Sequence, residues 1–401
     1  MKPDVCIVGG GPAGVVLALQ LARRGVVVSL LEGAASYKRL FRGESMQPDT
    51  VGIFHELGIA DRLSEHGYME TRQLEVVERG RTLLRVNYRN KPYRHRFIMD
   101  VPQPVLLEAL HEQLARYPNC TVMRGAVCTG LLEEEGKVAG VIYSWNGSSA
   151  NLQARWVIGA DGRYSRVREV SGLKYQKVPM KRDFVWFKVP IPDGWEDSTA
   201  KIMLAGANHL VLLPTFPNLF RAGVNIAKGS FSEMKQHGIE AFFELIGQID
   251  PELARHVRKH VTGWSDIHML EIFTVTMKSW WRDGLLLIGD AAHTVTPILG
   301  QGVNLAIQDA MELAPTIADA KASGCEDRQL FSEFQRKRQP VIDFVLKVQL
   351  RQEKFLSSES PIVQMMRRLN YALLNKSSLL QSYMMDRLAY RRQRLLGDMQ
   401  G

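Results

Sequence analysis

Apolar positions along this chain change period several times, and each change predicts an element. Val5 to Val8 form an unbroken apolar run, as in a parallel strand buried on both faces. A helical stretch carrying Leu17, Leu19, Leu21 and Ala22 follows and stops at Gly25, a fitting C-terminal residue. The next strand is expected over 26–31, with Glu32 at its end. Farther along the period is two. "QLEVVERGRTLLRVNYR" reads as two strands around a polar turn, and 127–160 reads as a meander in which Asn146-Gly147 is a hairpin signal. "DFVWFKVPI", "HLVLLPTF" and "LFRAGVNIAKG" are strand-like, and 231–258 is helical, which predicts a mostly antiparallel sheet with helices on one side. "LLLIGDAAHTVTPILGQGVNLAIQDA" (285–310) opens as a buried strand and closes as a helix. From Phe331 the chain is helical, with Pro340 as a kink or boundary.

The chain has 401 residues, more than one hydrophobic core usually serves, so two structural units are expected. With 45% hydrophobic and 23% charged residues, the composition is that of an ordinary globular protein. Cys6, Cys120, Cys128 and Cys325 are scattered without a CxxC pair, which argues against a disulfide framework or a zinc site and suits a reducing cytoplasm. The N-terminus does not read as a signal peptide, and no run of 18 apolar residues occurs. Net charge is +9, but no nucleic-acid-binding motif accompanies it, so nucleic acid is not expected as a partner.

Gly9, Gly11 and Gly14 give GxGxxG between the first strand and helix, with Pro12 and Ala13 inside the motif. The first glycine permits a tight turn, the second lets backbone approach a pyrophosphate, and the third lets helix pack on strand. The helix N-terminus offers free N–H groups to the phosphates, and Glu32 can accept hydrogen bonds from a ribose diol. Strand, turn, helix, second strand and acid in this order predict dinucleotide binding. No second GxGxxG follows a strand downstream.

Three motifs, "GGGPAG" (9–14), "WVIGADGRYSRVR" (156–168) and the 285–310 segment, resemble the FAD-dependent aromatic hydroxylases, the para-hydroxybenzoate hydroxylase-like monooxygenases. "FRGESMQP" (41–48) looks like that family's loop after the second strand. The resemblance implies that Asp290 bonds the ribityl chain of FAD and that Pro297 lies at the isoalloxazine edge. Gly300, Gln301 and Gly302 would then bring backbone N–H groups to the flavin's pyrimidine end, with Val303 and Asn304 opening the helix behind them. It also implies FAD contacts for Arg42, Gln103 and Asp161, although many relatives carry arginine where Gln103 stands. Arg166 and Arg168 read equally as phosphate partners or as a solvated helix face. His293 reads as a packing or hydrogen-bonding residue rather than a base.

The expected fold is α/β: a Rossmann-type FAD-binding domain (1–67, 97–180 and 278–355) interleaved with an α+β substrate domain (68–96 and 181–277), with a C-terminal helical segment (356–401). In the family the antiparallel sheet roofs the flavin and forms the substrate pocket, for which Trp186, Leu213 and Thr215 are the candidates. Alternation forbids Trp186 and Phe187 from sharing a face. The implied activity is hydroxylation of a small aromatic or heteroaromatic compound. NADH or NADPH reduces FAD, dioxygen adds to it, and a flavin hydroperoxide delivers an electrophilic OH. No metal is called for. Two other readings stay open: an FAD-dependent reductase or dehydrogenase of an isoprenoid or quinone-like substrate, and a flavin-containing aromatic-binding protein.

In the tail, 351–401 holds nine Lys/Arg against four Asp/Glu. Ile362, Met365, Met366, Leu369 and Leu373 form one apolar stripe at helical spacing. A helix docked on the body by that stripe is one reading; a peripheral helix on anionic lipid is the other.

Overall fold

The computed structural model describes residues 2–36, 43–91 and 94–392. The chain divides into two compact units, one of 1–40, 103–178 and 273–347, the other of 41–102, 179–272 and 348–401.

The first unit is built on a six-stranded sheet in the order Trp281–Arg282, Leu285–Leu287, Trp156–Gly159, Val5–Val8, Val28–Glu32, Cys120–Arg124. All its pairings are parallel except the Trp281–Arg282 edge. Both faces of a parallel sheet are covered, which explains why Val5–Val8, Trp156–Gly159 and Leu285–Leu287 are buried throughout. The helices Pro12–Arg23 and Gly302–Ser323 pack against each other. The antiparallel meander Val127–Glu134, Lys137–Trp145, Ser148–Gln153 turns at Asn146-Gly147, where both residues have positive φ (50° and 79°) as a tight hairpin needs. The second strand starts two residues later than expected, at Val28. Pro340 neither ends nor divides its helix: Asp327–Leu356 runs through it.

The second unit is built on a seven-stranded sheet in the order His268–Leu270, Arg182–Pro190, Leu219–Ala227, Asn208–Thr215, Thr199–Ala205, Gln73–Glu78, Arg81–Asn87. Only Thr199–Ala205 and Gln73–Glu78 pair in parallel. Alternation gives its central strands two different faces. Val185, Phe187, Leu210, Leu212, Phe220, Ala222 and Val224 form one core with Phe242, Phe243, Ile246, Leu253 and Val257 from the helices Ile239–Ile249 and Pro251–His260. Each of the larger side chains contributes roughly 1.5–3 kcal/mol by leaving water. Trp186, on the other face, clusters with Met180, Phe184 and Ile272, and Leu213 packs against them. The opposite placement of Trp186 and Phe187 therefore holds.

Trp186 can lie flat on the sheet because its cross-strand partner is Gly223; a Cβ there would sit 2.7 Å from the indole ring. Gly223→Ala should push the ring away and cost about 1–3 kcal/mol. The expected result is a lower denaturation midpoint with altered tryptophan fluorescence.

Candidate active site

The three glycine-bearing motifs meet at the C-terminal ends of the first unit's parallel strands. Gly9, at φ 108°, lies so close to the second motif that a Cβ would stand 2.5 Å from the Ala160 carbonyl oxygen and 2.7 Å from Asp161 Cα. A Cβ on Gly14 would overlap the Gly9 carbonyl at 1.9 Å. Neither glycine has a substitute. Gly11 has an ordinary φ of −76°, so its backbone conformation demands no glycine. Pro12 opens the helix, Ala13 is buried, and the helix N-terminus has no side-chain cap. Glu32 is held at the end of its strand by two backbone donors, Gly10 N–H to Oε2 and Ala34 N–H to Oε1, each at 2.7 Å. That fixes the carboxylate beside the turn.

Asp161 approaches Gly9 with its backbone while its carboxylate serves the next helix, accepting from Ser165 Oγ at 2.5 Å and Val167 N at 3.0 Å. Burial raises its pKa despite these donors. Arg168 is not part of a solvated face. It is buried and donates to the Ala291 carbonyl at 2.9 Å and the Asp290 carbonyl at 3.3 Å, tying the second motif to the third. Arg166 is exposed and pairs with Glu169.

In the third motif the apolar strand ends at Leu287 and Asp290 opens a short helix, Asp290–His293. A Cβ on Gly302 would lie 3.6 Å from Asp290 Oδ1, so the loop returns to this carboxylate. Between them Pro297 is helical in φ and ψ, while Leu299 and Gly300 turn left-handed at φ 64° and 60°. A left-handed leucine is strained, and such strain persists only where surrounding bonds hold it. Gly300 N–H donates to the Pro297 carbonyl (3.0 Å), Asn304 Nδ2 to the Gly300 carbonyl (2.7 Å) and Gln301 Nε2 to the Leu299 carbonyl (3.4 Å). Val303 lies half-buried in the first turn of Gly302–Ser323, whose N-terminus also lacks a side-chain cap. Gln103 is buried at the start of Gln103–Leu114, a helix packed on Pro12–Arg23. Arg42 lies outside the described residues.

One buried carboxylate, unforeseen in the sequence, holds this loop. Asp309 accepts from Gly289 N at 2.9 Å, His293 Nε2 at 2.7 Å and Arg338 Nε at 2.7 Å. Burial alone would raise its pKa, but His293 and Arg338 together bring it down to about 2. The Trp280 ring packs on His293, centroids 5.0 Å apart. A signal was available, since Asp309 falls at the middle of Leu305, Asp309, Leu313, in the buried stripe of its own helix.

The second unit carries another unforeseen network. Asp100 accepts from Ser45 Oγ at 2.5 Å and Thr71 Oγ1 at 2.6 Å, while Arg221 donates to Ser45 Oγ at 3.2 Å. Glu44 accepts from Thr215 Oγ1 at 3.1 Å and pairs with Arg221 (3.5 Å) and Lys188 (3.8 Å). The cross-strand register sets Trp186, Lys188, Leu213, Thr215 and Arg221 on one face, with the Arg221 guanidinium 5.3 Å from the Trp186 ring centre. The Trp186 indole N–H is buried without an acceptor among the described residues. Burial drives the Asp100 carboxyl up to about 7 and nearby Glu44 adds to the rise, against the pull of Ser45, Thr71 and Arg221.

A family model described as an FAD binding domain matches residues 2–348. Over 388 residues the chain is 33% identical to 6-methylpretetramide 4-monooxygenase of Streptomyces rimosus, covering 96% of this chain and 92% of that protein. It is 26% identical to protoasukamycin 4-monooxygenase of Streptomyces nodosus subsp. asukaensis over 360 residues, 86% of each. The solved p-nitrophenol 4-monooxygenase PnpA from Pseudomonas putida has the same fold, with a TM-score of 0.82 at 18% identity over 98% of this chain and 99% of that one. The chain belongs to the FAD binding domain family. Within it, the chain is an FAD-dependent monooxygenase, with NAD(P)H and dioxygen as co-substrates.

Two pH dependences of opposite sign follow. The folded-state pKa of Asp309, about 2, lies below the unfolded value of about 3.9. Its stabilisation is therefore present above pH ~4 and lost as pH falls toward 2. Asp309→Ala should cost about 3–5 kcal/mol at neutral pH by leaving buried Arg338 unpaired. Asp100, at about 7, lies above its unfolded value, so its contribution is complete below pH ~4 and lost as pH rises through 7. Asp100→Asn should flatten that upper slope alone, as followed by denaturant midpoints from pH 4 to pH 8.

Proposed function

We propose that this monooxygenase hydroxylates a small electron-rich aromatic or heteroaromatic ring. The observation that carries the reading is 33% identity over 96% of the chain to a 4-monooxygenase, together with the bracing of the 289–304 loop by Asp309 and Arg168.

The close approach at Gly9 and Gly14 and the uncapped helix N-termini fit a dinucleotide laid along the strand ends. In this reading Gly9, Gly11, Pro12, Ala13 and Gly14 cradle the pyrophosphate, while Glu32 accepts from a ribose and Asp290 from the ribityl chain. Asp161 and Gln103 support the phosphate side, and Arg42 belongs to the same cofactor set. Gly300, Gln301 and Gly302, backed by Val303 and Asn304, present backbone donors to the flavin's pyrimidine end. Bound FAD supplies hydride acceptance and oxygen activation. The positive end of the 22-residue helix Gly302–Ser323 favours negative charge beside it, and Pro297 shapes the flavin edge. Substrate then meets the face of Trp186, Leu213 and Thr215, with Trp186 N–H donating to a substrate oxygen. Arg221 and Glu44 fix the polarity of that face. The domain limits 1–67, 97–180 and 278–355 against 68–96 and 181–277, with 356–401 apart, are kept as a functional division of cofactor, substrate and tail segments. Four unpaired cysteines support a reducing, cytoplasmic setting.

Turnover under heavy-isotope dioxygen, with candidate phenols and heteroaromatics as substrate, tests the reading. One labelled oxygen per product molecule is expected. Substrate-dependent NAD(P)H oxidation without label would indicate a reductase, and no substrate-dependent oxidation would indicate a binding protein. Trp186→Phe keeps the ring but removes the donor and should raise KM about tenfold, with the rate of flavin reduction unchanged.

A further inference from the structure

The C-terminal helices dock by an unexpected face. Pro361–Lys376 lies along the strand Arg81–Asn87 and turns Arg367 and Tyr371 inward. Arg367, fully buried, bonds Glu78 at 2.7 Å and the carbonyls of Gly206 (3.0 Å) and Phe355 (3.1 Å), and Arg368 also pairs with Glu78. Ser378–Leu388 anchors through Met385, which packs with Ala389, Tyr390 and Tyr88. The stripe of Ile362, Met365, Met366, Leu369 and Leu373 therefore points outward, each side chain 51–67% exposed. On the next helix Leu379, Leu380 and Tyr383 are also exposed, at 49–83%. Eight large apolar side chains on two consecutive, touching helices exceed the scattered exposure normal for a protein surface.

Charge selects the occupant. Within 361–392 there are six Lys/Arg and a single acid, Asp386. Glu78 and Glu56 pair with Arg367, Arg368 and Arg392, and with both acids counted the formal charge of the segment is still positive, 6 − 1 − 2 = +3. A second copy would set two positive faces against each other, whereas an anionic bilayer complements both the charge and the apolar stripe. The Arg387 guanidinium lies 4.8 Å from the centre of the Tyr383 ring, a tyrosine–arginine pairing suited to headgroup depth. No helix among the described residues is long and apolar enough to cross a membrane, so the contact is peripheral.

We propose that the helices 361–376 and 378–388 form a reversible docking surface for anionic lipid, with Ile362, Met365, Leu369, Leu373 and Leu379 entering the acyl boundary. The holoenzyme should co-sediment with vesicles of equimolar phosphatidylcholine and phosphatidylglycerol, bind pure phosphatidylcholine at least about tenfold more weakly, and be released by salt. Leu369→Ser with Leu373→Ser should lower vesicle affinity by about tenfold or more, while flavin content, thermal midpoint and turnover of soluble substrate stay unchanged. Lys376→Glu should reduce binding to the anionic vesicles only. Failure to bind either vesicle, or equal binding to both, overturns the proposal. So does a concentration-dependent dimer in light scattering that the Leu369→Ser/Leu373→Ser variant dissolves, since the face would then belong to a second copy.

Discussion

The Asp309 carboxylate is the constraint on which the 289–304 loop depends. It is fully buried, and a buried charge persists only where donors replace the water it has lost. Those donors come from the strand end at Gly289, from His293 in the loop, and from Arg338 on another helix. Satisfying one carboxylate therefore fixes three elements at once. Arg168 braces the opposite side of the loop by filling the carbonyls of Asp290 and Ala291. Between these braces the chain tolerates left-handed Leu299, a conformation that a loop without such support would relax.

The second unit treats buried charge differently. Its sheet gives one face to an apolar core under two helices and the other to Trp186, Lys188, Thr215 and Arg221, with Glu44 and Asp100 buried nearby. Asp309 is bonded by His293 and Arg338, which bring its carboxyl down to about 2, whereas Asp100 is bonded by two hydroxyls, sits near Glu44 and is pushed up to about 7. A carboxyl held near 7 can gain or lose a proton around neutral pH, so the stability of this network changes with pH in that range.

Much of this was legible in the sequence, for local reasons. Glycines at 9 and 14 announce a turn that only glycine fits, and the two-residue period separates Trp186 from Phe187. What was not legible depends on partners far apart in the chain. Ser45 meets Asp100 across 55 residues and Arg221 across 176. Local pattern reveals an odd charge on an apolar stripe, as at Asp309, without naming what satisfies it. The C-terminal stripe shows the converse limit. Amphipathicity marked the Ile362–Leu373 face as apolar, but Glu78 recruits Arg367 inward and leaves that face outside.

The central claim is that the three separated segments around Gly9, Asp161 and Asp290 form one site for FAD. Flavin stoichiometry of natively purified protein, followed by fluorescence titration of the stripped protein with FAD, tests it most directly. The account predicts one FAD per chain and saturable rebinding with quenching of the added flavin. Colourless native protein that leaves added FAD fluorescence unchanged would contradict it.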